Sequence, residues 1–238
     1  MLKRVLMVVL CLMLVCSSAL GGELSFTVRH GDREAKRICI TVDDCKDTVM
    51  LRQIFDLGQE LEVPITFFTL GYVLLDEDRD LWREIAESDC EIGNHCYWHN
   101  SLATMDTWNI RNVLLRNQER LDEVLGYHYP MQVMRPPFGE LYDADTSAGY
   151  VIKGIQSAGY THAVLWDVSQ TNPDKCIHDV QNGSVLLFHT LIEDLRCLQQ
   201  LLPELKAQGY EFVTVSEMLS MEPVVISEEP YVRDYIKK

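Results

Sequence analysis

Glu91-Ile92-Gly93-Asn94-His95-Cys96-Tyr97-Trp98-His99 sets two imidazoles four residues apart, behind an apolar lead-in that starts at Cys90. One helical turn or one tight loop turns both rings the same way. Paired imidazoles are common zinc ligands, although a solvated turn can equally carry two polar residues. What separates the two readings is the lead-in: residues 90–94 read as a short strand running straight into the pair. A sheet holds the side chains at its strand ends in fixed places, and functional groups often stand there. The fold is therefore read by asking which other strands end in polar residues.

Upstream, Arg37-Ile38-Cys39-Ile40-Thr41-Val42 is β-branched and apolar and ends at Asp43-Asp44. That is a buried strand delivering two carboxylates at its C-terminal end. Residues 48–61 carry Val49, Ile54, Leu57 and Leu61 at helical spacing; 63–70 is a second strand stopped by Gly71, and 78–88 reads as helical. Downstream, 104–125 is the longest expected helix, with Ile110, Val113, Leu114, Leu121 and Leu125 on its buried face and Gly126 at its end. Residues 131–134 lead into Arg135-Pro136-Pro137-Phe138-Gly139, where two prolines stop strand pairing and fix the loop. A helix over 146–158, a strand over 161–166, a strand over 185–188 ending at His189, a helix over 191–207 and a strand over 210–215 complete the series.

About seven short apolar strands thus alternate with helices, the pattern of a parallel sheet with helical crossovers. Asp43, Asp44, His95, Arg135 and His189 all fall at strand C-terminal ends. In a barrel of parallel strands those ends share one face, where such enzymes carry their active site.

The totals agree with a folded domain. The chain has 238 residues, 47% of them hydrophobic, and a net charge of −15. That excess of acid argues against a nucleic-acid partner and against attraction to anionic lipid. Lys3 and Arg4 precede an apolar run over 5–15 and then Ser17-Ser18-Ala19, which reads as a signal peptide over 1–19. An uncleaved anchor and lipid attachment at Cys16 are the other options, the latter opposed by the bulky Val15. The run is short for a membrane span, so no stable span is expected after cleavage. The expected protein is secreted or extracytoplasmic, free or retained at the cell surface, and a monomer. Residues 20–36 form a lead-in, 37–219 the domain and 220–238 a polar tail. Six cysteines remain beyond the signal segment: Cys39, Cys45, Cys90, Cys96, Cys176 and Cys197. Disulfides and buried free thiols are both open readings.

Thr41-Val42-Asp43-Asp44, His95-Cys96-Tyr97-Trp98-His99, Arg135-Pro136-Pro137-Phe138-Gly139 and Leu187-Phe188-His189 stand in this order at strand ends. Together they resemble the polysaccharide deacetylase family, the NodB-homology or carbohydrate esterase family 4 domain, over about 37–219. The resemblance implies a distorted (β/α) barrel of about seven parallel strands. It implies that Asp44, His95 and His99 bind a divalent metal, zinc for preference, that activates water and polarises an acyl carbonyl. Asp43 would be the general base, His189 the general acid, and Arg135 the partner that keeps Asp43 ionised and correctly turned. The backbone N–H of Phe138 would help hold the oxyanion, and Trp166 and Leu187 would be core or groove wall. The implied substrate is an acetylated glycan: peptidoglycan, chitin oligomer or O-acetylated xylan. A catalytically silent carbohydrate-binding module and a hydrolase of small non-sugar amides are the competing readings.

Residue by residue, blander readings exist. An Asp-Asp pair can cap a helix, an arginine can form a surface ion pair, and a histidine after apolar residues can sit satisfied in a core. Five such coincidences in one order weigh against them. Two departures stand out. Asn172-Pro173 occupies the places of the family's fourth-motif Asp-Trp pair, whose aspartate supports the acid histidine, so Asp167 or Asp174 would have to substitute. Cys45 and Cys96 replace the family's usual glycine and serine or threonine. Each directly follows a ligand position, which suggests a Cys45–Cys96 disulfide; separate packed thiols, or a thiolate at the metal, are the alternatives.

Overall fold

Strand β2 (Arg37–Asp44) is the centre of the sheet, and its neighbours explain its composition. In this computed structural model, which describes residues 26–141 and 148–226, β2 pairs in parallel with β3 (Ile65–Thr69) on one side and β6 (Val185–His189) on the other. A strand covered on both faces needs an apolar run rather than alternation. β3 pairs in parallel with β4 (Glu91–Asn94). Single parallel bridges carry the ring onward, Asn94 to Met134, Met134 to Ala163, and Val168 back to Leu186. Two short parallel pairs complete the sheet: β1 (Thr27–Val28) with β5 (Ala163–Val164), and β7 (Glu211–Phe212) with the start of β2. This is the distorted barrel expected from the sequence.

Helices sit on the outside. α1 (Thr48–Leu61) starts at Asp47, whose carboxylate accepts the Val49 and Met50 N–H groups, and buries Leu51, Ile54, Phe55 and Gly58. Val49, expected on the buried face, is at the surface instead. α2 is Arg79–Ala86, and α3 is Thr107–Leu125, capped by Asp106 and ended by Gly126 in the left-handed region. α4 (Ala148–Ser157) packs on α3, where a Cβ on Gly154 would stand 2.7 Å from the Ile110 side chain. α5 (Pro173–Asp179) packs on α6 (Ile192–Ala207), and a short α7 (Val215–Met218) closes the described chain.

Alternation along the strands sorts the core. Ile38, Ile40, Val42, Ile65, Phe67, Ile92, Leu186 and Phe188 face the outer helices, while Cys39, Phe68, Val133, Val164 and Val185 form the inner layer. By the same period, Thr41 and Asp43 on β2 and Leu187 and His189 on β6 point inward. One strand register thus places the polar residues.

Three expected strands are shorter than expected. The 131–134 segment makes bridges only, and 161–166 shrinks to two residues. The cause lies next door: the Arg135 guanidinium takes the carbonyls of Val164 and Leu165, at 3.1 and 3.0 Å, which a regular ladder would use. The last strand stops at Phe212, because Thr214 and Glu217 form a reciprocal cap that starts α7. The lead-in contributes β1, and Val224 and Ile226 of the expected tail pack on the core. Residues 1–19 and 227–238 lie outside the described residues. No described helix is long and apolar enough to cross a membrane.

Candidate metal centre and hydrolytic site

At the C-terminal end of β2 the chain turns through two consecutive left-handed residues, Asp44 (φ 68°) and Cys45 (φ 56°). That conformation is natural for glycine and costs other residues, which accounts for a glycine at the Cys45 place in the resembled motif. The turn aims the Asp44 carboxylate at two imidazoles. Its Oδ1 lies 3.4 Å from His99 Nε2 and 3.6 Å from His95 Nε2, and it is buried without a hydrogen-bond partner. Its Oδ2 accepts from Lys46 Nζ at 2.9 Å. Ligand atoms of Asp44, His95 and His99 all lie within 4.8 Å of one another.

His95 is held by its other nitrogen. Nδ1 is 2.8 Å from the Arg135 carbonyl, which can only accept, so Nδ1 carries the proton and Nε2 presents its lone pair to Asp44. Burial lowers the His95 pKa, against the pull of the Asp43 carboxylate, and keeps the ring neutral. For Asp44, burial works upward, but the Lys46 ammonium bonded to it opposes burial, and the carboxyl lies below its ordinary range. An ionised carboxylate oxygen lacking a donor, facing bare imidazole nitrogens, fits a divalent cation. The loop beneath is fixed by a buried amide pair. Asn94 accepts the Cys96 N–H and one Asn117 amide hydrogen bond, and Asn117 also donates to the Thr69 carbonyl beside His95.

Asp43 is a different carboxylate. Its Oδ1 accepts from Arg135 Nη1 at 2.6 Å, and the same nitrogen donates to Thr41 Oγ1 at 2.7 Å. Arg135 is fully buried, its guanidinium stacked 4.3 Å from the Phe68 ring centre and 5.6 Å from that of Trp166. Its guanidinium thus has the Asp43 carboxylate, one hydroxyl and two carbonyls as partners, the satisfaction a buried charge needs.

The Pro-Pro-Phe-Gly loop crosses the mouth. Phe138 is left-handed (φ 62°) and 60% exposed, and its ring meets His99 edge-on at 4.4 Å. Gly139 allows close passage, since a Cβ there would come within 2.9 Å of Trp166. Leu187 is buried opposite Thr41, and Trp166 is half-buried.

His189 ends β6 in register with Asp43 and is partly exposed. The carboxylate beside it is neither Asp167 nor Asp174. Asp167 is tied to Arg33, Ser184 and the Val185 N–H, while Asp174 is exposed in the first turn of α5. Asp194 takes that place from α6: its buried Oδ2 accepts the His189 N–H at 2.8 Å and lies 3.8 Å from His189 Nδ1. Sequence reasoning missed it. The only signal was an acid in the first turn of a helix, which ordinarily reads as a dipole partner. Asn172 and Pro173 cap and open α5, so the two altered positions serve a helix start.

The proposed Cys45–Cys96 disulfide is absent. Both are free, buried thiols in separate clusters, Cys45 beneath the outer helices beside Leu51 and Cys96 with Ile110 and Leu114. Each sulfur is packed among its own cluster's apolar side chains. Two hollows among the described residues, of 330 and 320 Å³, include none of the site residues. Chemistry, not cavity size, picks out this end of the barrel.

A family model described as polysaccharide deacetylase matches residues 30–163, more than half of the chain. The chain belongs to the polysaccharide deacetylase family. Among curated relatives of this deacetylase chain, a peptidoglycan-N-acetylglucosamine deacetylase of Bacillus cereus is 31% identical over 199 residues, 77% of this chain and 88% of that protein. Among solved structures, the Bc1960 peptidoglycan N-acetylglucosamine deacetylase superposes with a TM-score of 0.71 at 25% identity, covering 83% of this chain and 94% of that one. A CE4 family pseudoenzyme from Bacillus anthracis gives 0.72 at 21% identity over 84% and 72%, a likeness that speaks for the fold alone. Family, barrel and hydrolase class are as the four motifs led one to expect.

Proposed function

We propose that this chain is an exported, divalent-metal-dependent deacetylase acting on N-acetylglucosamine units of a peptidoglycan-type glycan. The observation that carries the reading is the orphaned Asp44 Oδ1 between two imidazole nitrogens, next to an Asp43 locked onto Arg135. The Bacillus cereus relative supports the substrate class, and the basic-then-apolar segment over 1–19 supports export.

Asp44, His95 and His99 would hold the metal, and zinc suits two imidazoles and one carboxylate. When bound, such a metal polarises an acyl carbonyl and makes water more acidic. Asp43 takes the proton of the attacking water, with Arg135 keeping its second oxygen turned to the mouth. His189 hands a proton to the departing amine, and Asp194 steadies the ring in that work. Phe138 contributes its main-chain N–H to the developing oxyanion, and Trp166 and Leu187 back the groove that the sugar enters.

A metal-containing but silent binding module is the second reading, favoured by the loss of the fourth-motif pair at Asn172-Pro173. Acetate release from peptidoglycan, chitin oligosaccharides and acetylated xylan separates the two. We expect release from the N-acetylglucosamine polymers, greatest on peptidoglycan. Binding to these glycans with no acetate from any of them would establish the silent module.

A further inference from the structure

Outside the hydrolytic site, one pair of reactive side chains converges. Cys176 on α5 and Cys197 on α6 are both buried and aim at the same acceptor, the Gln170 carbonyl, from 3.0 and 3.8 Å. Convergence on one oxygen makes the two sulfurs neighbours. The other described cysteines are not so placed. Cys39 faces the Thr214 carbonyl and the Met218 sulfur, and Cys90 faces the Gln59 amide. Cys45 and Cys96 lie in separate clusters. Nor do the pair's neighbours form a metal-ligand cluster, since among the described residues only Asp44, His95 and His99 group that way.

We propose that Cys176 and Cys197 are joined by a disulfide, formed by exchange with a disulfide-bearing oxidant, which ties α5 to α6. The Cys176 thiolate attacks the oxidant's disulfide, forming a mixed disulfide and releasing one thiol. The Cys197 thiolate then attacks the Cys176 sulfur and releases the second. The two protons leave the protein thiols and end on the two released thiols; the protein pair is oxidised and the oxidant reduced. The neighbouring Cys197 holds the Cys176 thiol below its ordinary range, against burial that would raise it, which marks Cys176 as the first attacker. α5 is a thin cover, with Asn172, Asp174, Lys175 and His178 all exposed, so the sulfurs are reached before it docks or when it opens.

The bond closes a loop of roughly 20 residues. Asn172-Pro173, which replaces the family's pair, stands just before that loop, at the start of the helix that carries Cys176. The loop itself holds the first turn of α6, where Asp194 faces His189. The clasp does not depend on the deacetylase reading.

The test uses the full chain, equilibrated with oxidised glutathione or with dithiothreitol, then denatured, alkylated without reductant and mapped by mass spectrometry. Oxidation is expected to give one cross-linked peptide pair containing Cys176 and Cys197, with Cys39, Cys45, Cys90 and Cys96 alkylated. The oxidised protein should melt about 6–12 °C above the reduced one. Cys176→Ser and Cys197→Ser should each abolish the cross-link and the difference in melting, and Cys90→Ser should keep both. Should a serine variant fail to fold, the peptide map of the parent chain decides alone. Alkylation of both sulfurs after oxidation, a glutathione adduct that stays on Cys176, or a cross-link from either to another cysteine would overturn the proposal.

Discussion

Asp43 and Asp44 are adjacent residues of one chemistry, and their surroundings set them apart. Asp43 is bound to a buried guanidinium, whereas Asp44 keeps one oxygen bare toward two imidazoles. Asp43→Asn should therefore retain metal, read by elemental analysis, while acetate release falls on the order of a hundredfold or more. Unchanged turnover would remove the base from Asp43. Asp194 permits a cleaner substitution still. In Asp194→Asn the amide oxygen can still accept the His189 N–H, so the helix start survives and only the charge beside the imidazole is lost. Turnover should drop about tenfold with little change in KM, the scale typical of outer partners. Full turnover in this variant would leave Asp194 as a helix-start residue and nothing more.

At the scale of elements, the sequence was legible where local rules and packing agree. The α1 limits follow from Asp47 and a clear apolar period, and β2, β3 and β6 follow from short apolar runs rich in β-branched and aromatic residues, while β4 was read from its place before the histidine pair. The site was legible for the same reason, since its residues stand where strands end. What local rules could not supply was competition from distant side chains. A guanidinium on the 131–135 segment takes the carbonyls that would have lengthened β5, and a threonine–glutamate cap cuts β7 short. The pairing of cysteines was equally hidden. Adjacency to ligands suggested Cys45 with Cys96, but which cluster a thiol joins is set by the elements packed over each turn, α1 over Cys45 and α3 over Cys96. Asp194 escaped notice because its partner is a histidine at the end of the preceding strand rather than anything at helical spacing.

The molecule as a whole divides its polar residues between the two ends of one barrel. Chemistry occupies the C-terminal end. At the other end Glu91, buried on β4, accepts from Thr66 Oγ1 and from the Val215 and Ser216 N–H groups, fastening α7 to the sheet. Burial raises the Glu91 carboxyl, against these hydrogen bonds. A raised acid binds its proton more tightly folded than unfolded, so its contribution to stability is complete at low pH. That contribution is lost as pH climbs from the ordinary glutamate range through the folded value. Glu91→Gln cannot titrate. As pH rises from the ordinary glutamate range, denaturation midpoints should shift in favour of the variant, and a constant gap would show that Glu91 does not set this slope.

The central claim is that three side chains at one barrel end hold the metal on which hydrolysis depends. Its most direct test is acetate release from peptidoglycan by protein stripped with chelator and then given zinc back in stoichiometric amount, with Asp44→Ala treated alongside. The account predicts that stripping abolishes release, that zinc restores it to the parent chain, and that Asp44→Ala neither retains the metal nor recovers. Full activity in stripped protein, or stoichiometric zinc held by Asp44→Ala, would contradict it.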